Sequence, residues 1–204
     1  MSKIGFIGLG IMGKPMSFHL AKGGHELFTY SLHGVPPDVV AAGATACGSG
    51  KEVARKADIV ITMVPDTPDV AAALFGSGGV AEGLSPGKIV VDMSSISPVD
   101  TKQFAQKINA LECQYLDAPV SGGEVGAKAA SLTIMVGGPE DAFNKVKPLF
   151  ELMGKKAVGW RVMAAAVRAC RGCKRRDSAG FSRLRATTPV ILGEAHQECP
   201  LCAF

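Results

Sequence analysis

The segment Phe6-Ile7-Gly8-Leu9-Gly10-Ile11-Met12-Gly13-Lys14-Pro15-Met16-Ser17 lies near the start of the chain and decides the predicted fold. An apolar run precedes the glycines and an apolar-periodic segment follows them, so the pattern predicts a strand, a tight turn and a helix start. Gly8 would permit the sharp turn, Gly10 would let the backbone approach a pyrophosphate, and Gly13 would let helix and strand pack closely. Outside this context, such glycines often mark only a flexible loop. The predicted cofactor-binding residues of the turn are Gly8, Leu9, Gly10, Ile11, Met12 and Gly13.

The rest of the first three quarters of the chain alternates between apolar β-rich runs and helical patterns, which is typical of a parallel sheet with crossover helices. Strands are predicted at residues 3–7, 27–30, 59–64, 89–92, 115–117 and 132–136. A helix is predicted over residues 11–22, ending at a left-handed glycine cap. Two more are predicted to begin at Ser97-Pro98, with the serine hydroxyl as cap, and at Pro139, with a kink or restart at Pro148. The predicted class is α/β, with a Rossmann-like doubly wound parallel sheet.

Composition narrows the class of protein. Of the 204 residues, 47% are hydrophobic and 20% are charged, which is typical of a soluble globular protein. No run of about 18 apolar residues is present, so we expect no membrane association. The N-terminus enters a strand without a signal or transit segment, which predicts a cytoplasmic location.

Charge and cysteine are distributed unevenly along the chain. Residues 1–156 contain 14 Lys and Arg against 15 Asp and Glu, whereas residues 157–204 contain 8 against 3. Four of the six cysteines also lie in the last segment, at Cys170, Cys173, Cys199 and Cys202. We therefore predict two parts: an NAD(P)-binding Rossmann domain at residues 1–156 and an atypical basic, Cys-rich tail at residues 157–204.

Two explanations compete for this tail. Two CxxC pairs form a zinc-ribbon pattern, but 25 residues separate them where about 15 to 20 are usual. A truncated or frame-shifted end in a GC-rich gene would also produce excess Arg, Ala, Gly and Cys. We favour the second explanation, and accordingly assign no metal site and no nucleic-acid partner to the chain.

The end of the second predicted strand bears on the choice of cofactor. A carboxylate there binds the ribose 2′-hydroxyl of NAD, whereas an arginine favours the 2′-phosphate of NADP. This chain has Ser31 and His33 instead. Ser31 is a candidate hydrogen-bonding partner for a ribose hydroxyl or phosphate, with a solvated loop residue as the alternative. NAD(H) and NADP(H) both remain candidates.

Besides the glycine turn, three later segments carry a resemblance to a known protein family. They are Met63-Val64-Pro65-Asp66-Thr67-Pro68, Asp92-Met93-Ser94-Ser95-Ile96-Ser97-Pro98 and Tyr115-Leu116-Asp117-Ala118-Pro119-Val120-Ser121-Gly122-Gly123-Glu124. Together these segments resemble the 3-hydroxyisobutyrate dehydrogenase family, the β-hydroxyacid dehydrogenases. Within the family they are most similar to members that act on tartronate semialdehyde (2-hydroxy-3-oxopropionate). The resemblance ends at about Lys155.

The resemblance implies further site residues at the carboxyl edge of the sheet, where open α/β sheets bind ligands. Two loops would flank the nicotinamide and its ribose, through Met63, Val64, Pro65, Thr67, Ser94 and Ser95. A third would hold the substrate carboxylate, through Ser121, Gly122 and Gly123. Small residues there leave amides free to bind an anion, although Gly-Gly after a strand also suits a simple turn.

The implied reaction is reversible hydride transfer between a nicotinamide cofactor and a short β-hydroxy acid or semialdehyde, here 2-hydroxy-3-oxopropionate and glycerate. The family's proton donor is a lysine in a Gly-x-Gly-x-x-x-Lys-x-x-Asn segment that leads into an all-helical second domain. Where that segment is expected, residues 159–167 read Gly-Trp-Arg-Val-Met-Ala-Ala-Ala-Val. We therefore assign no catalytic residue and expect the helical domain to be lacking and turnover to be impaired. Exposed apolar surface would then favour a homo-oligomer or association with a full-length relative.

A non-catalytic alternative is also open. In it, the chain is a nucleotide-binding or interaction module whose CxxC pairs bind zinc. One zinc per chain, held by four thiolates, would distinguish this alternative.

Overall fold

The computed structural model describes residues 1–160, in which strands and helices alternate. The strands are β1 Lys3–Ile7, β2 Glu26–Tyr30, β3 Thr45–Ala46, β4 Ile59–Thr62, β5 Ile89–Asp92, β6 Gln114–Asp117, β7 Val120–Ser121, β8 Leu132–Gly137 and β9 Gly154–Trp160. The helices are α1 Gly13–Lys22, α2 Pro37–Ala41, α3 Gly50–Lys56, α4 Thr67–Phe75, α5 Pro98–Asn109, α6 Gly123–Lys128 and α7 Glu140–Met153, with a 3₁₀ turn at Val80–Gly83. The predicted tail at residues 157–204 lies almost wholly outside the described residues.

In the described part of the chain, one sheet contains all of these strands, in the order β3-β2-β1-β4-β5-β6-β8-β7, and β9 also pairs with β8. The pairs from β3 to β6 are parallel, and so is the pair β8–β9. The predicted parallel sheet needs one correction, because β6 and β7 run antiparallel to β8. The chain reverses through β7 and α6 here instead of crossing over the sheet.

Helices cover both faces of the sheet and enclose two apolar cores. One core lies under α1, α2, α6 and α7, and the other under α3, α4 and α5. Because both faces are covered, β4 and β5 are buried at every position, as expected of continuously apolar strands in a doubly wound fold. The predicted fold class is confirmed.

Two local predictions are wrong, and a third is wrong in part. Strand β4 ends at Thr62, so Met63 and Val64 belong to the loop. The Ser97 hydroxyl does not cap α5; Ser97 instead donates its N–H to Thr67 Oγ1 at 3.2 Å, which ties two loops together. Helix α7 continues through Pro148, so the predicted restart does not occur; the buried side chains on both sides of the proline keep that helix on the core.

Candidate functional site

The glycine turn between β1 and α1 has the conformation that its sequence predicts. Gly8 has a φ of +93°, and a Cβ added there would overlap the carbonyl oxygen of Met63. A Cβ added to Gly13 would overlap the carbonyl oxygen of Gly8. The fold itself therefore requires glycine at both positions.

Gly10 is different, since the packing of the protein does not require it to be glycine. Within residues 1–160, a Cβ at Gly10 would meet no heavy atom within 4 Å. In the same range, the N–H groups of Gly10, Ile11 and Met12 have no backbone acceptor. The turn thus presents open space bordered by free donors at a helix start, where the helix dipole also favours an anion. A dinucleotide pyrophosphate fits this cradle.

Hydrogen bonds join the neighbouring predicted loops to the turn. The Gly8 N–H donates to the Tyr30 carbonyl at 3.0 Å, which places half-buried Ser31 just beyond the turn. The Val64 N–H donates to Ser94 Oγ at 3.1 Å. Ser94 is buried, whereas Ser95 and Pro65 are exposed. The structure therefore brings the ends of β1, β2, β4 and β5 together at one edge.

The predicted substrate segment occupies the same edge. Ser121 ends β7, and Gly122 and Gly123 have φ values of +133° and +60°. A groove of about 850 Å³ lies between the glycine turn and helix α6. It is lined by Leu9, Gly10, Ile11, Lys14, Pro15, Phe18, His19, Lys22, Ala42, Glu124 and Lys128. The groove runs along helix α1 from the glycine turn to α6, and Ser121, Gly122 and Gly123 are not among its lining residues.

Four polar side chains under this edge form a buried row that the sequence motifs do not predict. Thr62, Asp92 and Asp117 are register partners across β4, β5 and β6. Asp92 accepts hydrogen bonds from Thr62 Oγ1 at 2.9 Å, the Ser94 N–H at 3.1 Å and the Tyr115 hydroxyl at 3.1 Å. In residues 1–160, neither carboxyl oxygen of Asp117 has a hydrogen-bond partner. The sequence feature that could have indicated this row is a strand that ends in aspartate, which occurs on the two neighbouring strands β5 and β6.

Burial dominates the electrostatics of this row. Burial raises the pKa of Asp117 to about 7, and the nearby Asp92 adds to the rise. Burial also raises the pKa of Asp92, although hydrogen bonds from Ser94, Thr62 and Tyr115 oppose it. The pKa of Tyr115 is raised by burial and by both carboxylates, so its hydroxyl remains a donor. The three donors to Asp92 make it the ionised partner and leave Asp117 as the neutral acid.

The glycine cradle, the joined loops and the doubly wound sheet are those of a dinucleotide-binding domain. Residues 3–163 match the family described as the NAD binding domain of 6-phosphogluconate dehydrogenase, and the chain belongs to that family. The predicted cofactor class, NAD(H) or NADP(H), is thereby confirmed.

Several relatives are hydroxyacid dehydrogenases, which confirms the predicted family resemblance. A 2-hydroxy-3-oxopropionate reductase of Escherichia coli K12 is 52% identical over 153 residues, covering 75% of this chain and 52% of that protein. A mitochondrial 3-hydroxyisobutyrate dehydrogenase of Drosophila melanogaster is 44% identical over 154 residues, covering 75% and 47%. The solved Mycobacterium tuberculosis 3-hydroxyisobutyrate dehydrogenase with L-serine has a TM-score of 0.77 at 32% identity, covering 85% and 60%. The chain spans about half the length of the curated relatives it matches.

Two other predictions concern membranes and metals. No helix in residues 1–160 is both long and apolar enough to cross a bilayer. The same residues contain no cluster of three or more metal-ligating side chains. The four cysteines of the predicted zinc pattern lie outside the described residues.

Proposed function

We propose that this chain is the cofactor-binding part of an NAD(P)-dependent reductase that converts 2-hydroxy-3-oxopropionate to glycerate. The open cradle at Gly10 is the observation that carries the proposal, because no contact within the described protein explains a glycine there. The 52% identity to a 2-hydroxy-3-oxopropionate reductase supports this choice of substrate.

In this proposal the site residues have three tasks. The free N–H groups of the glycine turn hold the pyrophosphate, and Ser31 contacts the adenosine ribose or its phosphate. The loops at residues 63–67 and 94–95 orient the nicotinamide, which supplies hydride chemistry when bound. Ser121, Gly122 and Gly123 hold the substrate carboxylate; the positive φ values of the two glycines support this role, because such turns can present backbone amides to an anion.

The 204-residue chain by itself should bind cofactor but turn over poorly. Reduction of an aldehyde needs a proton donor beside the carbonyl oxygen. The loops at residues 63–67, 94–95 and 121–123 contain no lysine or histidine, and residues 159–167 do not match the lysine segment of the family that the chain resembles. An assay of NADH and NADPH oxidation with 2-hydroxy-3-oxopropionate measures this expectation, and rapid turnover would contradict it.

Replacing Gly10 by alanine tests the cofactor site. The added methyl group would fill the space of the cradle, so we expect at least about 10-fold weaker binding, equivalent to about 1.4 kcal/mol. Titration of the wild type and G10A with NADH and with NADPH, followed by nicotinamide fluorescence, measures the loss. The same titrations determine which of the two cofactors the wild type prefers.

Gly48→Ala is the matched control for that substitution. Gly48 is also exposed, and its added Cβ would lie in ordinary contact with Glu52 at 3.6 Å. G48A should bind cofactor as the wild type does. If G10A also binds normally while the wild type binds well, the pyrophosphate does not lie at this turn.

A further inference from the structure

The buried carboxyl pair under the site has a feature that cofactor binding does not explain. Asp92 and Asp117 are 0% and 1% exposed, and they face the same core from adjacent register positions. The Asp92 carboxylate accepts three hydrogen bonds, whereas the Asp117 carboxyl group accepts none from the described residues. An ionised carboxylate without donors or a cation is costly to bury, so Asp117 is stable at its position only as a neutral acid.

Among residues 1–160, no positive charge lies near enough to Asp117 to compensate for its ionisation. Strand β5 contributes the Asp92 carboxylate and β6 contributes the Tyr115 hydroxyl. The register partner of Asp117 on β8 is Gly137. Helix α5, which covers this face, directs uncharged side chains into the core: Thr101, Phe104, Ala105 and Ile108.

Asp117 is also directly connected to the proposed substrate segment. The next residue, Ala118, donates its N–H to the Asp92 carbonyl at 2.7 Å, and the Pro119 carbonyl accepts from the Met135 N–H at 3.0 Å. Ser121 follows only two residues later. A displacement of Asp117 toward water therefore pulls on the short connection between β6 and β7.

We propose that Asp117 is a positioning residue: as a neutral acid it keeps residues 118–123 in place for an anionic substrate, and its ionisation releases them. The anion-binding part rests on the proposed function, whereas the release of the segment does not. Ionisation adds a second negative charge beside Asp92, and the carboxylate gains solvation only if the end of β6 moves. The segment should accordingly be ordered at acidic pH and mobile at alkaline pH, a direction that agrees with a pKa of about 7 for Asp117.

Hydrogen exchange on the full chain tests this proposal. Protection of amides in residues 118–126, corrected for intrinsic exchange, should fall at least about 10-fold between about pH 6 and about pH 8.5. Asp117→Asn mimics the neutral acid, so its protection should change by less than about 2-fold over the same range. Exposed Asp69→Asn is the matched control and should retain the wild-type fall. An equal fall in D117N and the wild type would overturn the proposal, as would constant wild-type protection.

A second measurement on the wild type covers the case in which D117N does not fold. At pH 6, infrared spectroscopy should detect the carbonyl stretch of a protonated carboxylic acid. This band should disappear as the pH rises through about 7. Absence of that band at pH 6 would also overturn the proposal.

The outcomes separate this proposal from the proposed function. If NADH and NADPH do not bind while the exchange of residues 118–126 depends on Asp117, the cofactor proposal fails and the positioning role stands. If cofactor binds but exchange does not depend on Asp117, the positioning role fails and the cofactor proposal stands. For the anion-binding part, glycerate affinity in the presence of cofactor should fall with rising pH in the wild type more steeply than in D117N.

Discussion

Gly13→Ala should lower the free energy of unfolding by about 3 kcal/mol, because the new Cβ overlaps a backbone atom rather than a flexible side chain. The overlapped atom is the Gly8 carbonyl oxygen. The Phe6 ring is also close, with its Cε1 atom 3.0 Å from the added Cβ. Neither can retreat easily, since Gly8 is fixed by its hydrogen bond to Tyr30 and Phe6 is fully buried. For a domain of this size, the loss corresponds to a decrease of about 6 to 12 °C in Tm.

Thermal unfolding followed by circular dichroism measures this decrease, with G10A as the internal comparison. Alanine at Gly10 meets no neighbour in the described residues, so its Tm should stay within about 2 °C of the wild type. The two substitutions therefore separate the roles of two glycines in one motif: one is needed for packing and the other for ligand approach. Equal stability losses in both variants would contradict this division.

Asp92→Ala should also destabilise the chain by about 3 kcal/mol, for a different reason. The substitution leaves the Thr62 hydroxyl, the Tyr115 hydroxyl and the Ser94 N–H without their acceptor. Each unpaired buried donor costs about 1 to 3 kcal/mol, and the removal of a buried charge offsets part of that sum. Urea unfolding of the variant at neutral pH, compared with the wild type, measures the net effect.

Tyr115→Phe provides the graded comparison for this prediction. It removes one of the three donors and leaves the carboxylate in place, so the expected loss is about 1 kcal/mol. A loss in Y115F as large as that in D92A would contradict this gradation, because a single hydroxyl would then account for the whole effect of removing the acceptor of three donors.

The strongest sequence prediction is the unit from β1 to α1, because a local pattern fully specifies it. A buried strand, three spaced glycines and a helix follow one another within 20 residues, and no distant contact is needed to define them. The buried strands are predicted for the same reason, since burial on both faces requires continuous apolar runs. The family resemblance adds the loops that follow β4, β5 and β6.

Short elements are less well predicted from the sequence. The helices α2, α3 and α6 have only five to seven residues, too few to show a clear helical period. Strands β3 and β7 have two residues each and exist only because neighbouring strands pair with them. The antiparallel direction of β8 likewise depends on the path of the chain between β6 and β8.

The sequence by itself determined the doubly wound class, the glycine turn and the edge of the sheet at which the predicted site residues lie, because strand–turn–helix units are encoded locally. Only the tertiary structure decided that Gly10 borders open space while Gly8 and Gly13 border backbone atoms. It also decided that Asp92 and Asp117, 25 positions apart in the chain, share one buried row. Strand register and burial bring such residues together, and neither is written in the spacing of a motif.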